Sequence, residues 1–143
     1  MSDILEENRL EDIQVGDSRK FTVMISDSMI DKFADISGDY NPLHMDQEYA
    51  KAAKFQNRVV HGMLLSSLFS RLIGMHIPGK NALYFSQSLK FVNPCFPNEN
   101  ITVEGLVIGK SIATRLITIK TTAVDRNNKL LIDGEAKVVV RYD

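Results

Sequence analysis

Only one cysteine, Cys95, occurs in the 143 residues, with three histidines, four prolines and no tryptophan. A lone thiol closes no internal disulfide, so the chain is not built like a small secreted domain and fits a reducing compartment. It also cannot support a thiolate metal site. Neither sign of charge is in excess: 17 Lys and Arg against 18 Asp and Glu leave −1. That balance provides no electrostatic footprint for nucleic acid or an anionic membrane. No apolar run reaches the ~20 residues of a membrane helix, and the first residues lack the basic-then-apolar order of a signal peptide. Gly-x-Ser-x-Gly, zinc-type His/Cys spacing and phosphate-binding glycine loops are absent too. The expectation is a cytoplasmic protein with no metal, no cofactor, no nucleic-acid partner and no membrane anchorage.

What is present is one domain, residues 1–143, with an ordinary apolar fraction of 44%. Residues 19–25 alternate loosely and predict a strand. Ser26 is placed to cap a following helix with an apolar stripe through Met29, Ile30, Phe33 and Ala34, running out near Gly38. A short helical segment is expected through Glu48–Ala53. Residues 62–73, Gly-Met-Leu-Leu-Ser-Ser-Leu-Phe-Ser-Arg-Leu-Ile, are apolar on nearly every face, so this helix calls for cover all round. Four strands are expected at 82–92, 99–109, 111–124 and 130–142, with hairpin character at Gly109-Lys110 and Asp125–Asn128. No long helix separates them, so they should pair antiparallel. One sheet curled around one buried helix is an α+β hotdog architecture. Its uncovered edges predict a homodimer.

The most suggestive chemistry lies in residues 36–44, Ile-Ser-Gly-Asp-Tyr-Asn-Pro-Leu-His. Pro42 rules out regular helix across Asn41, so the bend can turn Asp39 and His44 toward one point, where an acid–imidazole pair polarises a water. The competing reading makes Asp39 an Asx-turn residue, with Asn41 locking the bend and His44 half exposed. Gly62 opens the apolar helix, where amides lack internal partners and a missing side chain admits a carbonyl. It is therefore a candidate oxyanion donor, or else a glycine for tight helix–sheet packing. His61 can cap the preceding loop or line the pocket entrance. Ser70 can reach Asp39 as a supporting donor, or serve as a small residue under the sheet.

The 36–44 segment with Ala50, then Arg58-Val59-Val60-His61-Gly62-Met63-Leu64, then Tyr84–Phe91, resembles the MaoC-like, (R)-specific enoyl-CoA hydratases from about residue 19 to 140. The resemblance implies a hotdog fold, a two-subunit assembly and an acyl-thioester substrate carried on CoA or acyl-carrier protein. It further implies that Asp39 and His44 activate water, that Gly62 N–H binds the thioester oxygen, and that Ser70 supports the loop. In place of the family's frequent Pro-Gly-Asp turn stands Phe96–Asn100, with Asn98 able to take the left-handed conformation. A hotdog thioesterase and a non-catalytic acyl-CoA-binding subunit are the alternatives.

Overall fold

β-Branched and aromatic side chains concentrate along five segments and draw them into one sheet. In the computed structural model, which describes residues 4–142, these are β1 (Ser18–Met24), β2 (Ala82–Phe91), β3 (Asn100–Ser111), β4 (Leu116–Val124) and β5 (Leu130–Val140). All neighbours pair antiparallel in the order β1-β3-β4-β5-β2. The buried residues of β3 and β4 fall on alternate positions and face the helices. This is the α+β hotdog architecture, and β2 and β1 are its edges.

Helix α1 (Asp27–Ser37) begins at Ser26, whose Oγ accepts the Met29 amide at 3.2 Å. The Met29 sulfur in turn accepts the Ser26 amide, so a thioether takes the place of the usual capping carboxamide or carboxylate. Gly38 ends the helix in the left-handed region at φ 79°. Ser26→Ala should cost about 1 kcal/mol, read as a lower urea midpoint with an unchanged slope.

The structure corrects four expectations. First, the 39–46 bend contains one helical turn, α2 (Pro42–Met45), followed by α3 (Gln47–Ala52). Pro42 sits at the first helical position, where its missing N–H costs nothing, and the Asn41 side chain accepts the Leu43 amide at 3.0 Å. Second, the apolar helix is broken into α4 (Gly62–Ser66), α5 (Leu68–Arg71) and a wide π turn, Leu72–His76. Ser66 Oγ bonds back to Met63 O at 2.9 Å and Ser67 Oγ to Leu64 O at 2.6 Å, competing with the amide ladder at the break. Third, the helix is not covered all round. Met63 is 58% exposed and Ser70 also lies on the open face. Fourth, β3 runs through Gly109-Lys110, with Lys110 opposite Ile117, and turns only at residues 112–115. Arg115 takes positive φ there.

Two apolar clusters fill the interior. One surrounds the start of the helix and includes Ile30, Leu65, Phe69, Ile101 and Ile132. The other lies at its far end and includes Ile73, Ile77, Val107, Ile119 and Val138. Leu10 and Ile13 from the N-terminal segment are both 1% exposed in this second cluster. Gly79, at φ 84°, lets that segment pass, since a Cβ there would lie 2.1 Å from Glu6 O. Burial works against ionised Glu6. Hydrogen bonds from Arg19, Asn8 and His76, with the charge of Arg19, outweigh it and hold the carboxyl below the usual glutamate range.

Candidate active site

Gly38 ends α1 and turns the chain, so Asp39 starts a bend that α2 completes. Asp39 Oδ1 accepts the Asn41 amide at 3.2 Å, the Asx turn anticipated as its structural role. Its other oxygen, Oδ2, stands 3.8 Å from His44 Nε2. One oxygen of Asp39 therefore shapes the bend while the other faces the imidazole. The gap exceeds a direct hydrogen bond and suits a solvent molecule donating to both atoms. The Asp39 side chain is 47% exposed and that of His44 only 17%.

The tautomer of His44 follows from its other nitrogen. Nδ1 lies 2.7 Å from the Val59 carbonyl oxygen. A carbonyl only accepts, so Nδ1 carries the proton and Nε2 presents its lone pair to the Asp39 side. His61 is 2% exposed, and its Nε2–H donates to the Asp39 carbonyl at 3.0 Å. The His61 ring stacks on His44 with centroids 4.0 Å apart and meets Phe33 at 4.9 Å. Its Nδ1 is buried without a partner. His61 thus ties the backbone of one candidate residue while its face supports the ring of the other.

Asp39, His44 and His61 place potential ligand atoms within 4.8 Å of one another. The ring planes differ by only 26° in the stack, so the in-plane lone pairs of the two imidazoles do not converge on one ion. His44 Nδ1 and His61 Nε2 already donate to carbonyls. As arranged, this is a stacked pair beside a carboxylate, and it does not meet the tetrahedral demands of a zinc centre.

Gly62 follows His61 as the first residue of α4. Among the described residues its amide meets no acceptor. The break after Ser66 limits the dipole that a long helix would add, so the amide itself is the relevant donor. A cavity of about 330 Å³ opens here, lined by His44, Gly62, Met63, Phe91, Cys95 and Ile132 among others. The Phe91 ring lies so close to Gly62 that a Cβ would fall 2.7 Å from its Cε1. Ser70 is exposed on α5, and among the described residues the side-chain bonds at Asp39 run to Asn41, with His61 on its carbonyl and Ser37 on its amide, and none to Ser70.

Cys95 lines the same cavity. Burial, with smaller contributions from the charges of Glu99 and Asp125, pushes its thiol up to about 12. Thiol reagents need the thiolate, so at pH 8 Ellman's reagent should find no reactive thiol in the folded chain and a fully reactive one in denaturant. Equal reactivity in both states would contradict this burial. Arg58 and Phe91 are the site residues that sequence reasoning missed. In the sequence Arg58 figures only as the first residue of the Arg58–Leu64 segment, with no role of its own, and Phe91 as a strand residue.

An antiparallel sheet around a central helix defines a hotdog-fold protein, here with a carboxylate–imidazole pair beside the helix entrance. The chain belongs to the MaoC-like family, whose description, MaoC like domain, matches residues 12–128. It is 38% identical to the (R)-specific enoyl-CoA hydratase of Rhodospirillum rubrum, covering 91% of this chain and 90% of that protein. It is 39% identical to the mitochondrial 3-hydroxyacyl-[acyl-carrier-protein] dehydratase of Arabidopsis thaliana, covering 90% and 78%. Among solved structures, the (R)-hydratase of Aeromonas caviae involved in PHA biosynthesis matches with a TM-score of 0.88 at 35% identity, covering 90% of this chain and 98% of that one. The unliganded R-hydratase PhaJ1 of Pseudomonas aeruginosa matches at 0.92 and 29%, covering 97% and 89%.

Proposed function

We propose that the protein is a hydro-lyase that reversibly adds water to a trans-2-enoyl-CoA, giving the (3R)-hydroxyacyl-CoA. The observation that carries this reading is the 3.8 Å gap between Asp39 Oδ2 and the lone-pair nitrogen of His44, on a bend whose imidazole shares an apolar cavity with the Gly62 amide. Water held between the two acceptors has its oxygen lone pair directed at substrate. Its oxygen bonds to C3, one proton passes to the pair, and the pair returns a proton to C2. The carbon–carbon π electrons move toward the thioester, so negative charge develops on the carbonyl oxygen. The Gly62 amide offers that oxygen a donor worth about 3 kcal/mol. Dehydration uses the same groups in reverse, and because both side chains face the one water, the proton is assigned to the pair and not to either residue.

Asn41 and His61 are supporting residues in this scheme, the first by capping α2 and the second by holding Asp39 O. Acyl-carrier protein is an alternative carrier, as in the names of the plant relatives. The working form is a homodimer in a reducing compartment such as the cytoplasm. Edge strand β2 supports the dimer, with Leu83 at 55% and Phe85 at 69% exposure. No helix among the described residues is long and apolar enough to cross a membrane.

The test is a panel of short, medium and branched trans-2-enoyl-CoAs, followed by enoyl absorbance, free-thiol release and product chirality. Loss of absorbance with no thiol and a 3R product is expected. Thiol release without hydration would instead mark a thioesterase, and inertness across the panel would leave a binding subunit.

A further inference from the structure

We propose that Arg58 is a positioning residue, clamping His44 in the orientation that the hydration chemistry requires; this rests on the function proposed above. The clamp begins with the shortness of α2. Four residues cannot satisfy their own carbonyls, and the His44 oxygen is among those left over. Arg58 Nε–H donates to that oxygen at 2.6 Å. The other end of the guanidinium is fixed: NH1 donates to Asp27 Oδ1 at 3.2 Å and NH2 to Asp31 Oδ1. Asp27 is itself held, since its second oxygen accepts from Asn98 Nδ2 at 3.1 Å.

The planar fork therefore joins helix α1 to the backbone of the imidazole residue. Lysine, a point charge on a flexible stem, cannot reproduce three fixed directions. The next residue completes the hold. Val59 N–H donates to Leu43 O at 3.1 Å, and Val59 O accepts from the His44 ring. Main chain and ring of His44 are thus both set by residues 58 and 59.

A purely stabilising role explains less. Asp27 and Asp31 are 52% and 57% exposed, although Arg58 is only 12% exposed. Ion pairs with partners so open to solvent contribute little to global stability. The two aspartates also stand four apart on one helix, where like charges repel, and Arg58 lies between them. What the arrangement supplies is direction at His44, where a displacement of about 1 Å can cost roughly 10²-fold in rate.

The experiment compares wild type, Arg58→Met and Arg58→Lys in full-length protein, using the best enoyl-CoA of the panel. Methionine keeps most of the apolar stem and removes the donors. Arg58→Met should lower kcat by about 10²-fold with KM little changed and the melting temperature nearly preserved. Arg58→Lys should recover part of kcat. An unchanged kcat or a rise in KM alone in folded protein would overturn the clamp. If Arg58→Met does not fold, the Asp27→Ala/Asp31→Ala pair, which removes both acceptor oxygens, decides. Freed from its anchors, the guanidinium should lose its aim and kcat should fall at constant KM; full activity overturns the proposal. Asp39→Asn and His44→Ala in the same assay separate the two ideas. Their retained activity would defeat the hydration chemistry, whereas their inactivity beside a fully active Arg58→Met would defeat the clamp alone.

Discussion

Asp39→Asn and His44→Ala are each expected to lower kcat for enoyl-CoA hydration by roughly 10²–10⁴-fold while leaving the fold intact. Asparagine preserves the Asx turn, because its side-chain oxygen can still accept the Asn41 amide as Asp39 Oδ1 does at 3.2 Å. It removes the carboxylate that faces His44 and cannot hold a proton at neutral pH. The substitution therefore separates the structural role of Asp39 from its chemical role. His44→Ala removes the lone pair at Nε2 and the bond from Nδ1 to Val59 O. Arg58 still donates to the backbone oxygen of residue 44, so the bend keeps one anchor. Steady-state hydration with circular dichroism on the same samples checks both. A folded Asp39→Asn protein with the wild-type rate would show that the carboxylate serves the turn alone.

Gly62→Ala should reduce kcat by about 10²–10³-fold, the range for losing one oxyanion donor, with a small effect on stability. The new methyl would lie 2.7 Å from Phe91 Cε1. That ring is 52% exposed and can swing aside at modest cost, so the fold tolerates the change. The methyl still occupies the approach to the amide where a thioester oxygen must settle. Gly62→Ala/Phe91→Leu divides the two effects. Relief of the ring contact without recovery of rate supports the oxyanion role, and full recovery would reduce Gly62 to a packing position.

Much of this was legible in the sequence because alternation and capping are local. The five strands, the Ser26 cap, the Gly38 stop and the left-handed Asn98 depend on neighbours within a few residues. Asn98 has φ 68°. The approach of Asp39 to His44 was legible for the same reason, since five residues around a proline leave few conformations. Misread features depend on contacts distant in sequence or on close competition. The helix broke because serine hydroxyls took carbonyls from the amide ladder, and its open face reflects a single chain whose sheet covers one side. The turn at 112–115 displaced the one at Gly109-Lys110 because two more β3–β4 rungs could form. Leu10 and Ile13 carry no pattern in the sequence that marks them as core, and only the folded chain brings them into one cluster with Ile77 and Val107. The contacts of Arg58 were not legible because Asp27, Asp31 and His44 meet it only in the folded chain.

The two apolar clusters divide the interior into separate provinces. The proposed chemistry draws on the one around Leu65 and Ile132, which line the cavity, while the N-terminal segment closes the other. Improvements in heat resistance can therefore be sought around Leu10, Ile13 and Ile77, away from the bend that carries Asp39 and His44, and the usual exchange of robustness against turnover should be weak in this half of the molecule.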